Sequence, residues 1–179
     1  MRMRPAWICG AAVFCVAAAK EPDMRRIDAC AFLRQDEIQQ VLGRSVHPGE
    51  RHDDGEVAPG GEPSYSSTCL WRVKTGDEVP PDPGSPVAGA SFVIVNAIRW
   101  PVGEASARYL QSFREAAEDG TIDGDPDPVD IGDEALWWGD GVAFRKKENS
   151  VGVSVHLPGD RERERLLEET LSRIVARRL

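Results

Sequence analysis

The 179 residues carry 22 Lys and Arg against 30 Asp and Glu, a formal net charge of −8, with 41% hydrophobic and 29% charged residues. That length is one domain of polymer, and the mixture is that of a folded globular chain, which excludes a disordered tail or a membrane bundle. The acidity argues against nucleic-acid backbones and anionic membrane surfaces as partners, because no local basic patch offsets it.

Residues 1–19, MRMRPAWICGAAVFCVAAA, place Arg2 and Arg4 ahead of 14 uncharged residues from Ala6 to Ala19. A basic start, an apolar middle and a small-residue end are the three parts of a secretory signal peptide, with Ala17 and Ala19 as its A-x-A site and Lys20 opening the mature chain. The apolar stretch is shorter than the roughly 20 residues a spanning helix needs. Residues 20–179 are therefore expected as one exported domain without a stable membrane span, in the periplasm or outside the cell, and an uncleaved anchor is the alternative. Cys9 follows Ile8 and Cys15 follows Phe14, not the small residue that precedes a lipid-bearing cysteine, so lipid anchoring is the minor alternative.

Cleavage leaves Cys30 and Cys69. An even pair in an oxidising compartment reads as one disulfide, the alternative being two buried thiols. Closing a loop of 39 residues restricts the unfolded chain by about 4 kcal/mol in the loop-entropy view.

After a charged lead, Lys20 to Ile27, the segment from Asp28 to Gly43 sets Ile38, Val41 and Leu42 at helical spacing, with Gly43 as the stop. Ser45 to Ser66 is poor in apolar residues and reads as a long exposed loop. Thr68 to Val73 has strand composition. Lys74 to Pro86 holds four prolines and reads as a loop between strands. Ala90 to Trp100, the most hydrophobic segment of the mature chain, is expected as a central strand. Glu104 to Asp119 carries Ala105, Tyr109, Phe113 and Ala117 at helical spacing, closed by Gly120. Three strands follow, Ala135 to Trp138, Val142 to Lys146 and Val151 to Leu157, joined by Gly-Asp-Gly and Glu-Asn-Ser turns. Asp160 is placed to cap a last helix running to Leu179, with Leu167, Leu171 and Ile174 in one row. The expected class is α+β, in the order α-β-β-α-β-β-β-α, an antiparallel sheet with its helices packed on one face.

Asp28-x-Cys30 leading into Leu33, Glu37, Leu42 and Gly43, then Cys69-x-Trp71 and Gly132-Asp133-Glu134-Ala135, resembles a family of small exported proteins and lipoproteins of uncharacterised function, best represented in actinobacteria. The resemblance implies an α+β domain in which Cys30 and Cys69 pair. Arg34 departs from it, standing where a Thr or Ser usually caps the first helix, so that only the Glu37 half of a capping box is expected. The lack of a fitting lipidation cysteine is a second departure.

Three clusters carry candidate chemistry. Asp123, Asp125, Asp127 and Glu134 fall at positions 1, 3, 5 and 12 of a calcium loop, although Pro128 stands where the sharp turn needs Gly; the alternative is a solvated acidic linker. His47 and His52, with Glu50, Asp53 and Asp54 beside them, offer imidazoles for zinc or copper but no third soft ligand. Adjacent Trp137 and Trp138 must face opposite sides of their strand, leaving one of them for a ligand or partner, the alternative being that both pack inside. No nucleophile elbow or phosphate-binding Gly loop occurs. The expectation is an exported envelope protein that acts as a non-enzymatic binding module near Trp137 and Trp138, with an envelope protein or a small ligand as partner and no cofactor. An exported metal-dependent hydrolase using the His47 and His52 loop is the alternative.

Overall fold

The computed structural model describes residues 27–58, 61, 63–74, 91–157, 159 and 161–179. The leader 1–19, residues 20–26, the proline-rich segment 75–90 and the expected cap Asp160 lie outside the described residues. In chain order the elements are a 3-10 turn (Ala29–Ala31), α1 (Gln35–Leu42), β1 (Glu50–Val57), β2 (Ser64–Arg72), β3 (Phe92–Arg99), α2 (Gly103–Glu118), β4 (Asp127–Pro128), β5 (Glu134–Trp137), β6 (Val142–Lys146), β7 (Asn149–His156) and α3 (Arg161–Ala176). All seven strands form one antiparallel sheet, ordered β1-β2-β3-β7-β6-β5-β4. Two meanders, β1 to β3 and β4 to β7, are thus stitched together at the β3–β7 pair. The α+β class, its element order and the Cys30–Cys69 disulfide are as expected. Among the described residues no helix is long and apolar enough to cross a membrane.

The two additions are strands. Glu50 to Val57 forms β1 within what reads as loop, and Asp127–Pro128 forms a two-residue β4. The turn between β6 and β7 also sits one residue earlier than the Glu-Asn-Ser chemistry suggests, at Lys147 and Glu148, so that Asn149 and Ser150 belong to β7.

Alternation decides what each sheet face carries. Val93, Val95, Val151, Val153, Val155, Val142, Phe144 and Ala135 share one face, where Ile38 and Leu42 of α1 and Leu167, Leu171 and Val175 of α3 pack on them. Each large aliphatic buried there contributes roughly 1.5–3 kcal/mol. The opposite face carries Ile98, Leu136 and Ala143, and α2 lies on it through Ala105, Leu110, Tyr109 and Phe113. The single-face expectation therefore holds for α1 and α3, while α2 occupies the other side. Ser106 gives the reason for the close fit: its small side chain lets α2 approach, and its Oγ donates to Lys147 O at 2.8 Å.

At the amino end, Asp28 caps the 3-10 turn through Cys30 N at 2.9 Å, and the disulfide ties that turn to β2. Arg34 offers α1 no side-chain cap, but its N–H donates to Glu37 Oε2 at 2.9 Å, the expected half of the capping box. Arg178, beyond α3, also binds Glu37 and holds its carboxyl below the usual Glu range.

Candidate interaction face

Trp137 and Trp138 do point to opposite faces: Trp137 joins the core under α3, and Trp138 packs with Phe113 of α2. Trp137 Nε1 donates to Glu168 Oε2 at 2.9 Å, and the Arg165 guanidinium lies 4.4 Å from its ring centroid. Arg165 is itself held by Asp127 at 2.7 Å. Both tryptophans are half-buried; Trp137 is engaged by these polar and charged partners, while Trp138 follows the end of β5 on the α2 side.

The carboxylate under Trp137 has a second task. Glu168 Oε1 accepts the Val155 N–H at 3.0 Å, and Glu164, one turn earlier, accepts the Leu157 N–H. Strand β6 begins at Val142, opposite Val153, so Val155 and Leu157 run past their neighbour. Carboxylates at i and i+4 on a helix rise about 6 Å, and N–H groups at i and i+2 on a strand are roughly 6.6 Å apart, so the two rows match. Helix α3 supplies acceptors where the sheet has run out of strand. Burial is the main influence on Glu168 and pushes its carboxyl up, with the Val155 and Trp137 N–H donors opposing it.

On the α2 side, cross-strand partners share a face and line up in rows. One row reads Glu50, Leu70, Ile94, Ser154; a second reads Arg72, Phe92, His156; a third reads His52, Thr68, Asn96, Gly152, Ala143, Leu136. Helix α2 covers only the Leu136, Ala143 and Ile98 end. Leu70, Phe92 and Ile94 are half-buried and belong to none of the core clusters. Among the described residues no helix packs on this half of the face. Its floor is small, at Gly152 and Ser154, and Trp138 stands beside it, because Trp138 N donates to Gly141 O next to Ser154. Polar pairs rim it: Arg72 with Glu50 at 2.9 Å, Ser66 to Asp54 at 2.7 Å, Asn96 to Thr68 at 2.9 Å, and the Phe92 ring stacked on His156.

The other candidates are placed differently from one another. His47 precedes β1 with its N–H on Arg72 O, whereas His52 sits opposite Thr68. Four positions of β2 separate those partners, about 13 Å of strand, so the imidazoles are not brought together. Asp123 and Asp125 are exposed after α2, while Asp127 and Glu134 lie on the two strands of the β4–β5 hairpin and not along one loop. Glu134 is shared by Arg114 at 2.8 Å and Arg145 at 3.1 Å, which hold its carboxyl below the usual range. Among the described residues no group of three or more His, Cys, Asp or Glu side chains is placed to hold a metal ion.

Gly132, Asp133, Glu134 and Ala135 have architectural roles. Gly132 has φ 65, and a Cβ there would lie 2.5 Å from Arg145 O. Asp133 accepts the Lys147 N–H at 2.7 Å, Glu134 pairs with its two arginines, and Ala135 is buried in the core. Sequence reasoning found Trp138 by strand alternation but missed Leu70, Phe92 and Ile94. Each belongs to a segment whose apolar residues read equally well as core, and the half of the face that no described helix covers is defined by where α2 stops. Scans against protein-family models, curated proteins and solved structures returned no match.

Proposed function

We propose that this chain is an exported, non-enzymatic interaction domain of the bacterial envelope that engages a protein partner through the half of its sheet left open by α2. The observation that carries this reading is the half-buried patch of Leu70, Phe92 and Ile94, outside every core cluster and beside Trp138, with ion pairs and hydroxyls around it. An apolar centre with a polar rim is the anatomy of a protein interface. A flat sheet face suits a protein better than a small molecule, which needs a concave pocket. The leader-like residues 1–19 and the Cys30–Cys69 disulfide support an oxidising, extracytoplasmic address.

Capture from an envelope extract on the immobilised disulfide-bonded chain tests this, with amide hydrogen exchange on the complex. Protection is expected in β2, β3 and β7, and Ile94→Lys should weaken capture by at least about tenfold while leaving the thermal midpoint nearly unchanged. Leu166→Lys, at a side chain 63% exposed on α3, serves as the control. Protection confined to α3, or equal loss in both variants, would sink the proposal.

A further inference from the structure

A second site shares no residue with the interaction face. The loop from Asp130 to Gly132, the end of β6 and the last turn of α3 border a cavity of about 340 Å³. Lys146, Arg173 and Arg177 line it, with Asp130 as the one acid. Along the chain such cations alternate with acids, as in RERERLLEETLSRIVARRL, so no basic patch is visible there. The fold gathers them.

The borders are held by their own hydrogen bonds. Asp133 N donates to Arg145 O at 2.9 Å, tying the loop to β6, and Lys146 Nζ donates to Ala176 O at 2.7 Å, tying β6 to the end of α3. That second bond also sets a positive charge on the carbonyl end of the helix, whose own field disfavours anions. Internal partners do not neutralise the cluster. Arg173 and Arg177 stand one turn apart, where like charges repel, and the Arg177 N–H to Arg173 O bond at 3.3 Å keeps that spacing. Arg173 has Glu169 at 3.2 Å, but Glu169 is shared with Arg165 at 3.4 Å. Among the described residues the Arg177 guanidinium has neither an ion pair nor a side-chain hydrogen bond. In a chain of net charge −8, the cavity is thus a local positive field.

We infer that this cavity binds the dianionic phosphate group of a small organic phosphomonoester. Guanidinium forks match phosphate oxygens in pairs, and an ammonium adds a point charge beside them. A phosphomonoester brings close to two negative charges and three acceptor oxygens, which answers three cations beside one acid better than the single charge of a carboxylate does. The volume exceeds what a bare phosphate fills and stands at the lower end of small-molecule sites. Ile131 and Ala176, both buried, give the carbon portion an apolar contact.

The test is titration of the disulfide-bonded chain with glycerol 3-phosphate up to about 10 mM, read in ¹H–¹⁵N spectra at fixed ionic strength. Saturable shifts are expected at Ile131, Gly132, Lys146 and Arg177. Inorganic phosphate should bind more weakly because it lacks the carbon contacts, and acetate more weakly still. Arg177→Gln should weaken glycerol 3-phosphate binding by about tenfold, whereas Arg44→Gln, which removes the same charge at an exposed position outside the cavity, should leave it unchanged. Asp130→Asn should tighten it by about threefold. All three side chains are exposed, so each variant is expected to fold, which an unchanged thermal midpoint checks. No saturable shift at these residues, equal weakening by Arg177→Gln and Arg44→Gln, or acetate binding as tightly as glycerol 3-phosphate would overturn the assignment. Inorganic phosphate binding as tightly would overturn its organic part.

Discussion

Glu168 is a carboxylate 1% exposed, and nothing in its surroundings in the chain announces it: in RERERLLEETLSRIVA it reads as one more solvated acid. Its place is fixed by α3 crossing the end of β7, which is tertiary information. Glu168→Ala would leave the Val155 N–H and the Trp137 indole N–H buried without acceptors, a loss of about 2–4 kcal/mol, measurable as a lower urea midpoint. The pH dependence follows from its raised folded pKa. Its stabilisation is complete below the ordinary Glu value of 4.5 and is lost as the pH rises through the higher folded value, because the unfolded chain ionises first. Glu37 and Glu134, held low by arginines, act in the opposite sense: their contribution is present above the ordinary value and is lost on acidification. The stability advantage of the wild type over Glu168→Gln should therefore shrink as the pH is raised from 4.5; an advantage that grows would contradict the burial argument. Gly132 makes a sharper local case. A side chain there meets both a left-handed φ and the Arg145 carbonyl, so Gly132→Ala should cost about 2–3 kcal/mol, by the same urea measurement.

Elements with an apolar signature were legible, and those built from polar residues were not. Helices α2 and α3 fall within a few residues of the spans their spacing predicts and β6 matches its span, whereas α1 starts at Gln35, seven residues into the expected Asp28 to Gly43 segment, whose opening forms the 3-10 turn instead. Strand β1, ERHDDGEV, carries almost no apolar residue because it is an edge and is largely exposed. Its charges and the bulge between Asp53 and Gly55, where Gly55 has φ 74, keep that edge from recruiting another strand. Sequence alone also does not say which face α2 covers, since β3 carries apolar residues on both faces and so hides its own polarity. Which half of that face no described helix covers follows from that choice. The β6–β7 turn gives a prediction at this scale. A two-residue turn with a positive φ at its first position favours Gly, and Lys147 stands there. Lys147→Gly should stabilise the chain by about 0.5–1 kcal/mol, seen as a higher thermal midpoint, and the opposite sign would mean that the lysine's side-chain contacts outweigh its backbone strain.

At the scale of the whole molecule, the disulfide joins the 3-10 turn to strand β2 of the sheet. Cys69 is fully buried in β2, whereas Cys30 sits half-buried in the 3-10 turn, which is otherwise tied by the Ala29 N to Ser67 Oγ bond at 3.2 Å, the Asp28–Arg51 pair and Arg178. Because the pair spans 39 residues, opening it should cost about 4 kcal/mol, a large share of the roughly 5–15 kcal/mol of a typical domain. Access decides how fast that happens. A thiolate must reach a sulfur covered by Trp71 and the chain at Gly49, where an added Cβ would lie 2.8 Å from Cys69 Sγ. Reduction under native conditions should therefore be limited by opening of the 27–33 segment and should speed up in variants that loosen it, such as Arg178→Ala, which removes the bonds to Phe32 O and Glu37. Dithiothreitol kinetics followed by mass, beside hydrogen exchange of the same segment, check this: the two rates should rise together, and reduction that leaves exchange at residues 27–33 unchanged would show that the turn does not depend on its covalent anchor.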